Sequence, residues 1–515
     1  MEDSALKQSG EAKIFSLEEL AKEVARLKEQ GKKIVQCHGV FDLLHIGHIR
    51  HLQEAKRLGD ILVVTLTEDR HVNKGPHRPA FPQQLRLEAM AALDCVDFLA
   101  VSCSPRATEA IKTIKPDFYV KGPDFKNKSK DYTGGILEEE EAVKAVGGEI
   151  VFTEDITFSS TNLLNRHFNM FPKEVEGFLN DFRSRFSSAD IFNFLDGAGD
   201  LKVLVVGEAI IDEYQYCEAM GKSSKEPMLA VKRLSTEHFL GGTLAVANHL
   251  ASFCKKVGLV TFLGDKNSHE RFIRDNMASN IDLNFLKRKD SPTIVKRRMI
   301  ENYFFTKLMA VYDINDGALS DRDEKALCKT LETEIPKYDV VLVFDFGHGM
   351  FTPASIGVLC SKSKYLAVNA QSNAGNVGYQ SITKYPKVDY VCTTENEMRM
   401  EMRDRRGDIK SMIKAFAESN GYKRITVTRG NRGSLTYTAD EGFTEVPALT
   451  VKVVDRMGAG DAYFALTVIC AARNIPTEAI SFIGNCVGAQ AVATVGHRRF
   501  IEKVPLYKHI ESLLK

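Results

Sequence analysis

The sequence predicts an α/β protein with two domains, each built on a mainly parallel sheet. The chain has 515 residues, which is more than one ordinary hydrophobic core accommodates. Short apolar runs alternate with helix-like segments over residues 34–101, and the same alternation starts again at residue 201. Because strands that are joined through helices run parallel, each alternation predicts a sheet covered by helices.

The composition argues against several classes of function. Lysine and arginine number 69 against 68 acidic residues, and the net charge of +1 gives no reason to expect nucleic acid or a membrane as a partner. The ten cysteines contain no C-x-x-C pair, which disfavours a zinc ribbon or a disulfide framework. Residues 1–13 are polar, and no apolar run approaches the length of a membrane span. We therefore expect a soluble, cytoplasmic protein.

The first domain begins with a lead-in helix and three strands. Ser16 and Glu19 form a capping-box pattern, and apolar residues at helical spacing follow as far as Leu27. Apolar runs predict strands at residues 34–37, 61–66 and 98–101. Ligands of parallel sheets bind at the carboxyl ends of the strands, so the residues after the first strand are expected to lie at a site.

Residues 39–48 stand where the first predicted strand turns into a helix, and they read G-V-F-D-L-L-H-I-G-H. A helix N-terminus offers unpaired N–H groups to an anion, and Gly47 lets a phosphate approach the backbone. His45 and His48 share one face of the turn. Taken alone, this pair could equally pack together or bind a metal, although no third ligand follows at zinc-like spacing. The whole arrangement suits transfer of a phosphorus group, which needs positioned donors more than a nucleophile.

Three more stretches of this domain follow predicted strands. Residues 69–79 form a cationic loop, residues 115–124 deliver Lys121 to a Gly-Pro turn, and residues 157–161 combine hydroxyls with a helix start. Taken alone, the first could be a solvated charge run and the last a plain helix cap. Their chemistry becomes specific only in combination with the histidine pair.

The string G-x-F-D-x-x-H-x-G-H resembles the signature of the HxGH nucleotidyltransferases. The three further stretches occur in the order and spacing of the heptose-type members, so the resemblance covers residues 33–165 and implies a Rossmann-like NTP-binding domain. It implies that His45, His48 and Lys121 are catalytic. The residues that it implies for NTP binding are Gly39, Phe41, Asp42, Lys74, Arg78, Ser159, Ser160 and Thr161. Residues 127–135 lengthen a loop beside the implied acceptor site, so the acceptor stays open.

The second domain follows residues 166–200, a segment that fits either one or two connecting helices or a surface for the partner domain. Residues 203–212 predict one buried strand that ends in a turn and in the carboxylate of Asp212. Gly241 and Gly242 then precede a predicted helix over residues 244–253. Further strands are predicted at residues 340–344, 365–368, 390–392 and 425–428.

A glycine-rich turn precedes an apolar helix near the end of the chain. Gly458, Ala459 and Gly460 expose successive N–H groups that can hold a transferring phosphoryl group. Asp461, at the helix start, can take a hydroxyl proton. A tight turn alone would leave the same pattern.

This turn, with Gly241-Gly242 at the front of the domain, resembles the D-x-x-G-A-G-D motif of the ribokinase-family (PfkB-type) carbohydrate kinases over residues 202–504. The resemblance implies a ribokinase-like fold with Asp461 as the catalytic base and Glu397 as an indirect organiser of a metal. It implies nucleotide contacts for Thr428, Gly430, Gly458, Ala459, Gly460 and Asn485. It implies substrate contacts for Asp212, Gly241, Gly242 and His348, the last of which is equally well explained as a turn residue. Ala245 replaces the family's sugar-binding asparagine, so the phosphoryl-transfer motif is kept while the sugar pocket differs.

Together the resemblances imply a bifunctional enzyme of nucleotide-activated sugar synthesis. The kinase phosphorylates a sugar or sugar phosphate with ATP, and the transferase moves CMP or AMP from CTP or a second ATP to a sugar phosphate, with Mg²⁺ in both reactions. The bacterial heptose enzyme that this combination resembles fuses the same two activities with the kinase domain first. In this chain the transferase domain comes first. Two alternatives stay open: a cytidylyltransferase for a polyol phosphate made by its own kinase, and a nucleotide-binding regulatory protein with one inactive domain.

The expected organisation is a tail and lead-in helix (1–32), a transferase domain (33–165), a linker (166–200) and a kinase domain (201–515). We expect a homo-oligomer formed through the kinase domain.

Overall fold

A computed structural model describes residues 12–72, 78–126, 135–154, 171–450 and 452–515. The chain divides into two compact units, one comprising residues 1–172 and 511–515 and the other residues 173–510. Each unit contains a mainly parallel sheet with helices, so the predicted fold class is confirmed. The finer domain bounds, with a linker over residues 166–200, stay a prediction.

The first unit contains a six-stranded parallel sheet in the order β1-β4-β3-β2-β5-β6. Its strands are β1 (Ile14–Phe15), β2 (Ile34–Gly39), β3 (Ile61–Thr67), β4 (Phe98–Ser102), β5 (Phe118–Lys121) and β6 (Glu149–Phe152). Its helices are α1 (Leu17–Glu29), α2 (Ile46–Lys56), α3 (Gln83–Ala91), α4 (Thr108–Ile114) and α5 (Gly135–Ala145). The strand order reverses between β2 and β5, and ligands of such sheets bind at that crevice.

The predicted elements of this unit are confirmed at their starts. The Ser16 hydroxyl accepts from the Glu19 N–H at 3.2 Å, and the Glu19 carboxylate accepts from the Ser16 N–H at 3.1 Å, so α1 begins with a capping box. β2, β3 and β4 begin at the predicted residues and continue slightly beyond the predicted ends. Their side chains are buried on both faces, as a parallel sheet with helices on both sides requires.

The second unit contains two sheets. The nine-stranded sheet has the order β11-β10-β7-β14-β15-β16-β17-β18-β19, and the four-stranded sheet has the order β13-β12-β8-β9. The larger sheet is parallel from β11 to β17, and β18 and β19 are antiparallel. Its strands are β7 (Lys202–Gly207), β10 (Lys256–Lys266), β11 (Ile281–Pro292), β14 (Val340–Asp345), β15 (Leu366–Ala370), β16 (Tyr390–Thr394), β17 (Arg424–Thr428), β18 (Ser434–Thr438) and β19 (Gly442–Val446). The smaller sheet consists of β8 (Ala209–Lys222), β9 (Leu229–Gly242), β12 (Ile294–Glu301) and β13 (Thr306–Asp313).

The remaining helices belong to this unit, apart from residues 511–514 of the last one, which are assigned to the first unit. They are α6 (Lys173–Arg185), α7 (Ser188–Ala198), α8 (Thr243–Ala251), α9 (Glu270–Asn276), α10 (Asp321–Glu334), α11 (Pro353–Lys362), α12 (Glu395–Glu401), α13 (Ile409–Asn420), α14 (Ala459–Ala471), α15 (Thr477–Val492) and α16 (Lys503–Leu514). The predicted connecting helices are present as α6 and α7. In the described parts of the chain, no helix combines the length and the apolar character needed to cross a membrane.

The prediction of one strand over residues 203–212 is wrong. β7 ends at Gly207, and after Glu208 the chain enters β8, which belongs to the other sheet. The Glu208 carboxylate accepts hydrogen bonds from the Phe346 and His348 N–H groups, which ties this break to the end of β14. The residues on both sides of the break are buried and apolar, so no sequence feature marks the boundary between β7 and β8. Asp212 therefore lies within β8 and not in a turn.

Candidate active sites

The turn between β2 and α2 brings the two predicted histidines together. Gly39 ends β2, Phe41 turns the chain with a φ of 47°, and His45 is the N-cap residue of α2. His45 Nδ1 accepts from the Gly47 N–H at 3.1 Å. The rings of His45 and His48 stack with centroids 4.0 Å apart, and Phe41 packs edge-on against His48. Two imidazoles and the first N–H groups of α2 thus share one position at the end of the central strand.

Lys121 lies in the neighbouring strand, because β5 pairs with β2. Its Nζ is 2.8 Å from Glu139 Oε2 on α5 and 4.3 Å from the centroid of the Phe125 ring. Burial, followed by the charge of Lys121, lowers the pKa of His38 to about 3 and the pKa of His51 to about 4. These two histidines are neutral near pH 7, and the charge of Lys121 is paired with the Glu139 carboxylate.

Two implied NTP-binding residues contact each other. Asp42 and Arg78 form a buried ion pair, and Asp42 Oδ1 also accepts from the Phe81 N–H at 3.0 Å. Arg86, which the sequence analysis did not single out, is buried beneath them and donates to Asp69 Oδ1 at 2.7 Å. One arginine in a helix gives no sequence signal for such a role. These contacts fix the segment that follows β3, and the contact of Asp42 and Arg78 with NTP stays a prediction.

Some predicted residues of this domain cannot be placed. Lys74, Ser159, Ser160 and Thr161 lie outside the described residues. Their roles in NTP binding stay predictions.

In the second unit, a cavity of about 880 Å³ lies where the carboxyl ends of the nine-stranded sheet meet the four-stranded sheet. The implied kinase residues that line it are Asp212, Gly242, Glu397, Thr428, Gly458, Gly460 and Asp461. Residues implied as substrate-side, nucleotide-side and catalytic therefore share one cavity. Gly241 and Ala459 do not line the cavity themselves, but each is next in the chain to a residue that does.

Asp461 lies in the first turn of α14 and is 9% exposed. Its Oδ1 accepts a hydrogen bond from Gln371 Nε2. Burial raises the pKa of Asp461 to about 6, and the charge of Asp212 acts in the same direction, whereas Gln371 and Lys296 act against it. A carboxylate that titrates near neutral pH in a cavity is suited to general-base work.

Two of the predicted glycines are required by close approach. Gly458 has a φ of 73°, and a Cβ there would lie 2.0 Å from Cε1 of His497. A Cβ on Gly241 would lie 2.3 Å from Asp212 Oδ2. Any larger residue would displace the His497 ring or the Asp212 carboxylate.

Asp212 has partners that the sequence analysis missed. Arg298 on β12 forms a buried ion pair with Asp212, and His497 Nε2 is 3.9 Å from Asp212 Oδ2. Lys296, two residues before Arg298, also lines the cavity, and burial lowers its pKa. Alternate residues of a strand share a face, so the pattern Lys-x-Arg in β12 was the available signal.

Besides Gly241 and Ala459, three implied residues lie outside the cavity lining. The His348 N–H donates to Glu208 Oε1 at 3.1 Å, and among the described residues its buried Nε2 has no hydrogen-bond partner. Asn485 Nδ2 donates to the Ser434 hydroxyl on β18 and to the Ser481 carbonyl in the preceding turn of its own helix, each at 2.8 Å. Gly430 lies in the turn after β17 with a φ of 60°. Their contacts with substrate or nucleotide stay predictions.

Glu397 caps α12 and is compatible with an indirect metal role. Its Oε2 accepts from the Thr394 N–H at 2.8 Å and from the hydroxyls of Thr393 and Thr394. Within the described part of the chain, Oε1 accepts one hydrogen bond, from the Ser372 N–H at 2.8 Å. Oε1 therefore keeps acceptor capacity for a water ligand of Mg²⁺, an ion that usually retains several waters. Among the residues that the structure describes, no group of three His, Cys, Asp or Glu could hold a metal directly.

Comparison with known proteins supports both resemblances. Residues 200–503 match the family model described as pfkB family carbohydrate kinase, and residues 36–167 match the model described as cytidylyltransferase-like. The crystal structure of phosphofructokinase-2 from Escherichia coli in complex with potassium covers 61% of this chain and 100% of its own, with a TM-score of 0.50 and 15% identity. That similarity shows the fold. The predicted resemblance to both families is confirmed.

Several curated relatives are named Bifunctional protein HldE, and two of them show the extent of the similarity. The protein from Citrifermentans bemidjiense is 38% identical over 157 residues, which is 30% of this chain and 31% of the relative. The protein from Sulfurimonas denitrificans is 45% identical over 130 residues, which is 25% of this chain and 27% of the relative. The matched segments thus span about a third of the relatives' length or less.

Proposed function

This chain belongs to the pfkB family of carbohydrate kinases, and from that premise we propose that it is a bifunctional enzyme of nucleotide-activated sugar synthesis. The second unit phosphorylates a hydroxyl of a sugar or sugar phosphate with ATP. The first unit transfers CMP or AMP from CTP or ATP to the resulting sugar phosphate and releases pyrophosphate.

The observation that carries the kinase proposal is the cavity shared by Asp212, Gly458 and Asp461. Asp461 takes the proton of the substrate hydroxyl while its oxygen attacks the γ-phosphorus of ATP and the bond to ADP breaks. The N–H groups at the start of α14 hold the transferring phosphoryl group. The buried cations of Lys296 and Arg298 offset negative charge on the substrate side.

The transferase proposal is supported by the turn at the start of α2. The phosphate oxygen of the acceptor attacks the α-phosphorus of the NTP, and the bond to pyrophosphate breaks. His45, His48 and the N–H groups of α2 stabilise the charge that develops on the α-phosphate, and Lys121 supplies a cation from β5. This chemistry needs no nucleophile from the protein.

Mg²⁺ fits both reactions, because each transfers a phosphorus group from an NTP and the metal offsets the charge of that NTP. In the second unit, Glu397 would hold the ion through water. Its remaining ligands would be phosphate oxygens of ATP and further waters.

We also propose a homo-oligomer formed through the four-stranded sheet, and a cytoplasmic location. Leu234, Met309 and Val311 are exposed on strands of that sheet, at 48%, 55% and 38%, and a second copy could cover them. The ten free cysteines fit a reducing compartment. Sedimentation of the wild type beside Met309→Lys tests the contact, because a charged side chain there should shift the assembly toward monomers.

The experiment that tests the function is mass spectrometry of products from the full chain. A panel of sugars, sugar phosphates, polyols and polyol phosphates is incubated with ATP or CTP. A phosphorylated sugar and a nucleotide sugar are the expected products. Products from polyol phosphates alone would move the assignment to a polyol cytidylyltransferase. Nucleotide binding without turnover of any member would indicate a regulatory protein.

A further inference from the structure

Gln371 stands at the carboxyl end of β15, directly beside the candidate base. Its backbone N–H donates to the Asp345 carbonyl at 2.9 Å, which ties it to the end of the neighbouring strand β14. Its side chain lines the cavity, and its Nε2 donates to Asp461 Oδ1. The position of this amide is therefore set by the sheet and not by a free loop.

The surroundings of Asp461 oppose its ionised form, which is the form that a base requires. The carboxylate is buried at the start of α14. The charged groups that face it are Asp212 from β8, Lys296 from β12 and Glu397 from α12, so two carboxylates act against one ammonium group. Among the described residues, the hydrogen bond from Gln371 is the one side-chain hydrogen bond that Asp461 accepts.

We infer that Gln371 is a positioning residue of the kinase reaction: its amide holds Oδ1 of Asp461, which leaves Oδ2 to take the hydroxyl proton of the substrate. This inference rests on the proposed kinase function. The balanced step is transfer of the hydroxyl proton to Oδ2, bond formation between the hydroxyl oxygen and the γ-phosphorus, and departure of ADP. Gln371 exchanges no proton, because its amide only donates a hydrogen bond.

A hydrogen bond to a charged acceptor stabilises that charge more than a neutral one does. Loss of the Gln371 amide should therefore raise the pKa of Asp461, and the sign of the effect on rate follows. The ionised carboxylate is the active form, so activity is lost as the pH falls through the pKa of Asp461. A higher pKa therefore moves this acid limb of the pH profile to a higher pH. A merely structural role of Gln371 would lower the rate equally at every pH.

The test is the pH profile of kinase kcat/KM for the full chain carrying Gln371→Met, which keeps the length of the side chain and removes its donors. The wild-type acid limb should have a midpoint near pH 6, the value about which Asp461 titrates. In Gln371→Met, we expect that midpoint to move up by about one pH unit or more. Titration of ATP or of the sugar substrate is common to both enzymes and cancels in the comparison.

Gln380→Met is the matched control, because Gln380 Nε2 donates to the Asp345 carbonyl at 3.0 Å and has no described contact with Asp461. Its acid limb should coincide with that of the wild type. Gln371→Ser gives the same prediction with a smaller side chain, should Gln371→Met fail to fold. An unmoved limb in the folded Gln371 variant, beside an inactive Asp461→Asn, would overturn the role of Gln371. Near-normal turnover of Asp461→Asn would instead overturn the base assignment on which the kinase proposal depends.

Discussion

Replacing Lys307 by Met should destabilise the glycine-rich turn at Gly458 without changing a residue that lines the cavity. Lys307 lies on β13, and its Nζ is 2.5 Å from Asp455 Oδ1. The Asp455 side chain is 1% exposed and stands three residues before Gly458. Its Oδ1 also accepts from the Met457 N–H at 3.2 Å, and its Oδ2 accepts from the Tyr214 hydroxyl at 2.7 Å. One buried carboxylate thus joins the four-stranded sheet to the turn.

The expected cost lies between those of surface and buried ion pairs. Removing one partner of a fully buried pair costs about 3–5 kcal/mol, whereas exposed pairs contribute about 0–1 kcal/mol. The Lys307 side chain is 34% exposed, so water screens part of the interaction. Three other donors remain, since the Gly496 N–H also donates to Oδ2 at 3.0 Å. We therefore expect a loss of about 1–2 kcal/mol in the unfolding free energy of the second unit.

The loss of stability in Lys307→Met should depend on pH, and the pKa of Asp455 decides in which direction. Burial acts to raise the pKa of Asp455, but the hydrogen bonds from Lys307 and Tyr214 outweigh it, so the folded pKa lies below the usual value. A depressed carboxylate pKa stabilises the fold above the unfolded pKa, and that stability is lost as the pH falls through the folded pKa. Without Lys307, the folded and unfolded pKa values of Asp455 lie closer together. The deficit of Lys307→Met should therefore be full at pH 7 and should shrink below about pH 4.

Differential scanning calorimetry of the full chain measures this, by comparing the unfolding transitions of the variant and the wild type. Lys307→Arg should recover most of the loss because it keeps the charge. Lys364→Met, which removes an exposed partner of Asp339, is the matched control and should change the stability by less than about 0.5 kcal/mol. The reasoning is refuted if Lys307→Met matches that control at pH 7, or if its deficit is equal at pH 7 and pH 3.

Three further predictions concern catalysis. His45→Ala and His48→Ala should each lower the rate of nucleotidyl transfer by roughly 10²–10³-fold while kinase turnover is unchanged. Normal nucleotidyl transfer in both variants would refute the assignment of this pair to the transferase site. Asp461→Asn should cut phosphorylation by roughly 10²–10⁴, whereas ATP binding measured by calorimetry and nucleotidyl transfer to a supplied sugar phosphate stay normal. Excess EDTA should abolish both activities, and restoration by Mg²⁺ checks that the loss comes from the metal.

Local patterns were enough to predict the lead-in helix, three strands of the first unit and the glycine-rich turns. A capping box such as Ser16 with Glu19 acts within one helical turn, and the strand-to-helix turn that carries His45 and His48 is a run of ten residues. The four-stranded sheet was not predicted, because β8 and β9 carry many polar residues and β8 pairs in parallel with the distant β12. Such a pairing has no signal within a short window of sequence.

Motif membership did not fix where every side chain points. Asn485 matches the family's nucleotide-side helix, yet its amide is bonded to Ser434 and to the preceding turn of its own helix. His348 follows the central strand as expected, but its ring is buried outside the cavity lining. Conversely, Gln371 has no motif of its own and contacts the candidate base. A motif constrains the backbone at a strand end, whereas packing of the neighbouring elements decides which side chains reach the cavity.

The sequence reveals more about the reaction than about the substrate, because the reaction depends on local motifs and the substrate on packing between distant elements. In both units, phosphorus-group transfer is suggested by a glycine-containing turn at the start of a helix, which is a local feature. Lys121, the cation proposed for the first site, lies within a recognisable stretch of sequence and could be singled out from it. The cations beside Asp212 come from β12, where Lys296 is the register partner of Asp212 across the sheet. Lys296 and Arg298 line the cavity beside Asp212, which is proposed to contact the substrate. On that proposal, the choice of sugar depends on contacts between distant parts of the chain, and the turn motifs alone could not identify it.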